Sequence, residues 1–157
     1  MGYNMNIKYA FLFCLFYFVY FSAYPSVGDS IKVSLLTCSP GEKSFELFGH
    51  TGIRVQGPEK DMDIVFHYGV FNFNAPHFIY RFTKGETDYS IGTTSFRNFV
   101  LSYAVRNSGV MEQELNLTAD EKEDLLQALV VNNLPQSRIY RYNFLFDNCA
   151  TRPRDIV

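Results

Sequence analysis

The chain has no tryptophan, only three cysteines and three histidines among 157 residues, and no excess of charge of either sign. Each shortage narrows what it can do. Lys and Arg number 14 against 16 Asp and Glu, a net charge of -2, which leaves no basic surface large enough for nucleic acid. Three histidines without acidic companions at ligand spacing speak against a metal centre, and no pattern asks for a cofactor. Three cysteines are too few for the disulfide framework of a small secreted scaffold. No apolar run reaches the roughly 20 residues of a membrane-spanning helix.

The longest such run, Tyr9 to Ala23, is 15 residues without a charge, and Lys8 precedes it. That pattern fits the apolar region of a signal peptide, with the small pair Ser22-Ala23 near a cleavage point, or an uncleaved N-terminal anchor. Residues 1–24 are therefore expected to export the rest, and Cys14 goes with them. The exported part keeps Cys38 and Cys149. In an oxidising compartment two cysteines can form one structural disulfide, or each can stay a thiol.

What the chain does have is aromatic side chains, 16 Phe and 11 Tyr, within a 47% hydrophobic composition. This is ample for a packed core. It also supplies residues that line apolar clefts or meet a membrane surface. Residues 25–30 read as a linker, and residues 31–157 as one domain. Ile31 to Cys38 predicts a strand, ended by Ser39-Pro-Gly41. A second strand lies within Phe45–Val55, and Gln56 to Asp61 reads as a hairpin turn. In a third, Asp63–Phe71, alternation puts Ile64, Phe66 and Tyr68 on one face and Val65 and His67 on the other. Thr87–Gly92 and Val110–Leu117 also read as strands. Ser95–Arg106 predicts a helix with Phe96, Phe99, Val100 and Tyr103 on one face. Thr118-Ala-Asp-Glu121 is a capping box opening a helix with Leu125, Leu126, Leu129 and Val130 on one side, ending near Asn132-Asn133. Ile139 to Phe146 reads as a last strand that delivers Cys149. Several strands joined by short loops, with few helices, predict an α+β fold around an antiparallel sheet.

Chemistry concentrates in two segments. Asp147-Asn148 can cap a helix, and Cys149 would then sit in its first turn, where the thiolate is favoured; a buried or disulfide-bonded cysteine satisfies the same pattern. His50 stands at the head of a strand between Gly49 and Gly52, accessible enough to serve as a base. His67 is one strand later and can orient a neighbouring ring, or simply be a strand histidine. His77 follows Pro76 in a loop and suggests no role. Arg54, Arg152 and Arg154 flank the two segments, as solvated charges or as anchors for an anionic head group.

Taken together, Leu35-Leu-Thr-Cys-Ser-Pro-Gly41, Phe48-Gly-His-Thr-Gly-Ile-Arg54, His67-Tyr-Gly-Val-Phe-Asn-Phe73 and Asp147-Asn-Cys-Ala-Thr-Arg-Pro-Arg-Asp155 resemble, in this order, the Lnb N-terminal periplasmic domain family of Bacteroidetes-type bacteria. The resemblance spans about residues 31–157. It implies a circularly permuted papain-like fold, similar to NlpC-type and lecithin-retinol-acyltransferase-like proteins, in a periplasmic, membrane-associated protein. It implies Cys149 as nucleophile, His50 as base and His67 at a third position that is often Asn in the family. The implied activity is lipoprotein N-acylation: an acyl chain passes from a phospholipid to the cysteine, then to the α-amino group of the N-terminal Cys of an apolipoprotein. Fuller members continue into membrane-spanning helices, so the chain is expected to be shortened at its C-terminal end.

Overall fold

The computed structural model describes residues 27–43, 46–58 and 62–157. The expected export segment 1–24 lies outside the described residues. Of the expected linker 25–30, the described part is a single helical turn, α1 (Val27–Ser30). The next four strands run β1 (Lys32–Cys38), β2 (His50–Gln56), β3 (Asp63–Val70) and β4 (Asp88–Ser95), with helix α2 (Phe78–Thr83) between β3 and β4. After them come α3 (Phe96–Ala104), β5 (Val110–Glu114), α4 (Ala119–Asn132), β6 (Ile139–Arg141) and α5 (Thr151–Ile156).

All pairings are antiparallel, in the order β5-β1-β2-β3-β4-β6. The fold is α+β, as the alternating strand pattern predicts. The first four strands form a meander, each pairing with the next, with a short turn between β2 and β3 and α2 in the longer link from β3 to β4. The two longer helices then carry the chain across to each edge. Their apolar stripes cover opposite faces. Leu125 and Leu129 of α4 close one core with Val33, Ile53, Phe66, Tyr68 and Ile91. Phe99 and Tyr103 of α3 close the other with Leu36, Cys38 and Val65. Each fully buried side chain of this kind contributes roughly 1.5–3 kcal/mol. The face split expected for β3 holds: Phe66 and Tyr68 point to the α4 side and Val65 to the α3 side.

The capping box forms as read. The Thr118 hydroxyl accepts from the Glu121 N–H, and the Glu121 carboxylate accepts from the Thr118 N–H. Val130 is an exception on this helix: it is about half exposed, because its position is rotated past the edge of the Leu125/Leu129 stripe. The strand expected from Ile139 to Phe146 is shorter than its alternation suggests. It ends at Arg141, and Tyr142 donates one further ladder bond to the Thr87 carbonyl. Asn143 then stops it. Its side-chain oxygen accepts from the N–H groups of Leu145 and Phe146, so the backbone closes into a turn instead of continuing the ladder. The second strand starts at His50, as expected, and Gly49 before it takes φ +71°. A Cβ there would collide with the Cys38 carbonyl oxygen.

Candidate active site

Antiparallel pairing brings the end of β1, the start of β2, the end of β3 and the start of β4 to one end of the sheet. His50 opens β2 there, directly across from Cys38. His67, two residues before Gly69 on β3, pairs with Gly52, so the imidazoles of His50 and His67 meet on the α3 face. His50 Nε2 lies 3.2 Å from His67 Nδ1, with the rings nearly perpendicular at 82°. His67 is wedged in place by the Phe99 ring, 5.6 Å between centroids. The contact uses Nε2 of His50 and leaves Nδ1 as its second nitrogen.

Cys149 arrives from the other side, on the loop that leads into α5. This loop is tied at three points. Asn148 Oδ1 accepts from the N–H groups of Ala150 and Thr151, and Thr151 Oγ1 accepts from the Asn148 N–H, a reciprocal tie. Asp147 forms an ion pair with Arg152, bracketing the cysteine. The Arg152 guanidinium also lies over the Tyr140 ring, 3.7 Å from its centroid, which fixes the loop to β6. The capping expected of Asp147-Asn148 is not what forms: α5 begins after Cys149, its N-cap is Ala150 with no side-chain cap, and Asn148 ties the preceding loop while Asp147 clamps Arg152. With only six residues in α5, the local N–H contacts of the sulfur count for more than any helix dipole.

Gly69 decides whether the two groups meet. It has φ +95° and occupies a register irregularity between Tyr68 and Val70 in the β3–β4 ladder, the geometry of a bulge. A Cβ at this position would lie 3.4 Å from Cys149 Cβ and 3.7 Å from His50 Cε1. The cysteine and the imidazole therefore both approach Gly69, with Cys149 Cβ and His50 Cε1 no farther apart than the sum of those distances. Gly69 is no catalytic residue type, but a lone glycine inside the run His67–Phe71 is the sequence signal of a bulge or close approach.

Burial sets the charge states. It pushes the His50 imidazolium down to about 3 from an ordinary 6.5, with the neighbouring His67 and Arg106 acting the same way. Burial also lowers His67. It raises the Cys149 thiol, against the backbone N–H groups of Thr51 and Cys149 itself, which favour the thiolate. The resting pair is a neutral thiol beside a neutral imidazole. This has a consequence for stability. Unfolded His50 takes up a proton near 6.5 and folded His50 only near 3, so between these values the unfolded chain binds more protons. Stability is present above pH 6.5 and is lost as pH falls. The loss from His50 is expected to be on the order of 2–3 kcal/mol by about pH 4.5. Denaturant melts of wild type and His50→Gln across this range check it. Parallel pH curves for the two proteins would contradict it.

A cavity of about 630 Å³ opens at the site, and both Cys149 and His50 line it. Its walls are mainly aromatic, with Phe48, Phe71, Phe82, Tyr89, Tyr142 and Phe144. The size is that of an ordinary ligand pocket. Thr87 also lines it; this residue is only 6% exposed, and its hydroxyl finds no hydrogen-bond partner among the described residues. Apolar side chains stand out around the mouth, Phe48 at 77% exposure and Leu145 at 67%, and Phe146 beside them is equally bare.

The other residues singled out in the sequence fall elsewhere. Arg54 is paired with Asp63 and Glu112 and stacks on Phe96. Arg154 pairs with its neighbour Asp155. Each of the three arginines is thus engaged by a carboxylate of this chain. Cys38 is buried, its thiol pushed up to about 11 by that burial. Cys38 and Cys149 are both free thiols, so the disulfide weighed as an alternative is not formed here. His77 begins α2 in a left-handed conformation.

A profile of the Lnb N-terminal periplasmic domain matches residues 26–157. The chain belongs to this family. No curated protein and no solved structure showed a match. As a member of the Lnb N-terminal family the chain carries a periplasmic domain, and no helix among its described residues is long and apolar enough to cross a membrane. The matched region contains Cys149, His50, His67 and Gly69, together with the whole sheet that assembles them.

Proposed function

We propose that this Lnb-family domain is a thiol acyltransferase of the cell envelope. In this reading it takes an acyl chain from a phospholipid onto Cys149 and passes it to the α-amino group of an apolipoprotein's N-terminal cysteine. The observation that carries the reading is the convergence of Cys149 and His50 on Gly69, at the wall of one aromatic cavity. A histidine strand that precedes the cysteine in chain order is also the order of circularly permuted papain-like domains, and we read the fold as one of these.

The chemistry follows from the neutral pair. His50 Nδ1 accepts the thiol proton as the sulfur attacks the ester carbonyl carbon. For Nδ1 to be the acceptor, Nε2 must carry the ring hydrogen and donate it to His67 Nδ1. His67 is thereby a positioning residue that fixes the tautomer of the base. The N–H groups of Thr51 and Cys149 favour negative charge on the sulfur and serve the developing oxyanion in the same region. Collapse of the tetrahedral intermediate breaks the ester C–O bond. The departing alkoxide takes the proton back from His50, leaving a thioester on Cys149. An amine then attacks that thioester, the C–S bond breaks, and the amine's proton returns through His50 to the sulfur.

The aromatic cavity suits an acyl chain, and the bare Phe48 and Leu145 at its mouth suit a lipid surface, where an acyl donor is found. The test is intact-protein mass spectrometry after incubation with phosphatidylethanolamine vesicles or with labelled peptidoglycan. The expected product is protein heavier by one acyl chain, released by neutral hydroxylamine as a thioester is. Peptide release from peptidoglycan with no acyl adduct would establish a cysteine peptidase or amidase instead.

A further inference from the structure

The wall of the aromatic cavity holds a polar group that the proposed transfer leaves unused. Thr87 lies there beside Tyr89, and both residues are only 6% exposed. Alternation along an extended chain puts the two side chains on the same face. The Thr87 carbonyl accepts from the Tyr142 N–H, so its backbone is held next to the Tyr89 and Tyr142 rings, which stack 4.3 Å apart. The hydroxyl is not held. Its oxygen is buried and has no hydrogen-bond partner among the described residues. Asn133 and Tyr140 each have a buried polar atom in the same condition, but neither residue lines this cavity.

A buried hydroxyl without a partner is destabilising and uncommon in folded proteins. Valine would fill the same space without that cost. Rotation about Cα–Cβ exchanges the threonine hydroxyl with its methyl group, so a ligand in the cavity can draw the hydroxyl toward itself. Other polar groups of the wall already have partners. Asn143 Oδ1 accepts from the N–H groups of Leu145 and Phe146, and Lys84 is held by Glu86 and the Tyr80 ring. The position of Thr87 also matters. Ser90 pairs with Val70, the residue after Gly69. Thr87 precedes Ser90 by three residues, about 10 Å along the strand from that level. An acyl chain joined to Cys149, which approaches Gly69, therefore brings to Thr87 a carbon well down its length and not one beside the carbonyl.

We infer that Thr87 is a specificity-determining residue, and that the acyl chain this cavity favours carries a hydroxyl group far from its carboxyl end. The inference rests on the thiol-acylation reading of Cys149 and adds which acyl chains that site takes. A plain hydrocarbon chain leaves the Thr87 hydroxyl unpaired. A chain hydroxyl at the matching distance pairs with it, since each group can donate or accept. The aromatic rings cover the rest of the chain. No bond is made or broken at Thr87; it acts on which acyl donor binds.

The test is a competition for Cys149 between paired p-nitrophenyl esters. Hexanoate, octanoate and decanoate are each mixed in equal amount with their ω-hydroxy derivatives. Intact-protein mass spectrometry separates the two acyl-enzymes by the mass of one oxygen atom, and their ratio reports selection whatever the rate of acylation. The ω-hydroxy ester is expected to win at one chain length, because only a matching length brings the two hydroxyls together. Thr87→Val keeps the side chain's shape and is expected to lower the ratio at that length about tenfold; Thr87→Ser, which keeps the hydroxyl, is expected to preserve most of it. A wild-type ratio that favours the plain ester at every length, or a ratio that Thr87→Val leaves unchanged, overturns the role of Thr87 alone. A wild-type protein that acquires no acyl group from any of the esters overturns the thiol-acylation reading and this inference with it.

Discussion

Cys149→Ser is expected to abolish the covalent acyl adduct and to lower acyl transfer by at least about 10³-fold. Serine is isosteric enough to leave the loop intact: Asn148, Thr151 and the Asp147–Arg152 clamp hold the backbone without the sulfur. It fails as a nucleophile because of the base it is given. Burial holds the His50 imidazolium down near 3, which makes the ring a weak proton acceptor. A thiol loses its proton far more readily than a hydroxyl, and the N–H groups of Thr51 and Cys149 favour the resulting thiolate. A hydroxyl facing the same weak base keeps its proton. The measurement is intact mass after phospholipid incubation, with a thermal melt to show that the variant is folded. A serine variant that still acquires one acyl chain, or transfers at a wild-type rate, would remove Cys149 from the chemistry.

Gly69→Ala is the second large effect, and it acts on two quantities at once. The backbone at φ +95° is strained for any L side chain, and the expected loss of stability is about 1–2 kcal/mol. The new methyl would also stand in ordinary van der Waals contact with both Cys149 Cβ and His50 Cε1, filling space beside the reacting atoms. Any shift of the strained backbone that moves the nucleophile or its base by about an ångström costs up to about 10²-fold in rate. Gly85→Ala separates the two effects. Gly85 has a comparable φ of +68°, but a Cβ there meets nothing within 4 Å. It is expected to lose stability without a comparable loss of rate. If Gly69→Ala and Gly85→Ala lose rate equally, contact at Gly69 has no special role.

Local patterns carried much of the fold. The strand β3, its two faces, the capping box at Thr118 and the paired Phe99/Tyr103 stripe of α3 are all readable because neighbours in sequence are neighbours along one element. The last strand departs from its pattern for the same reason in reverse, ending at Arg141. Tyr140, Tyr142, Phe144 and Phe146 alternate like strand residues, yet the Asn143 side chain captures two N–H groups that a strand would need. Nothing in the period of the apolar residues reveals that competition.

The candidate site divides along the same line. Cys149 and His50 stand out in the sequence because each sits beside residues that expose it or tie its loop: Asn148 before the thiol, Gly49 and Gly52 around the imidazole. His67 is recognisable as a nearby polar group, but its 3.2 Å contact with His50 exists only through the β2–β3 register. The residues themselves and their α+β framework are therefore written into local order and composition. What folding alone settled is their common approach to Gly69, and the partnership of Glu46 with Arg106, 60 positions apart. Such meetings depend on how strands align and where a ladder slips by one residue, and these are decided by the packing of the whole sheet between its two helical layers.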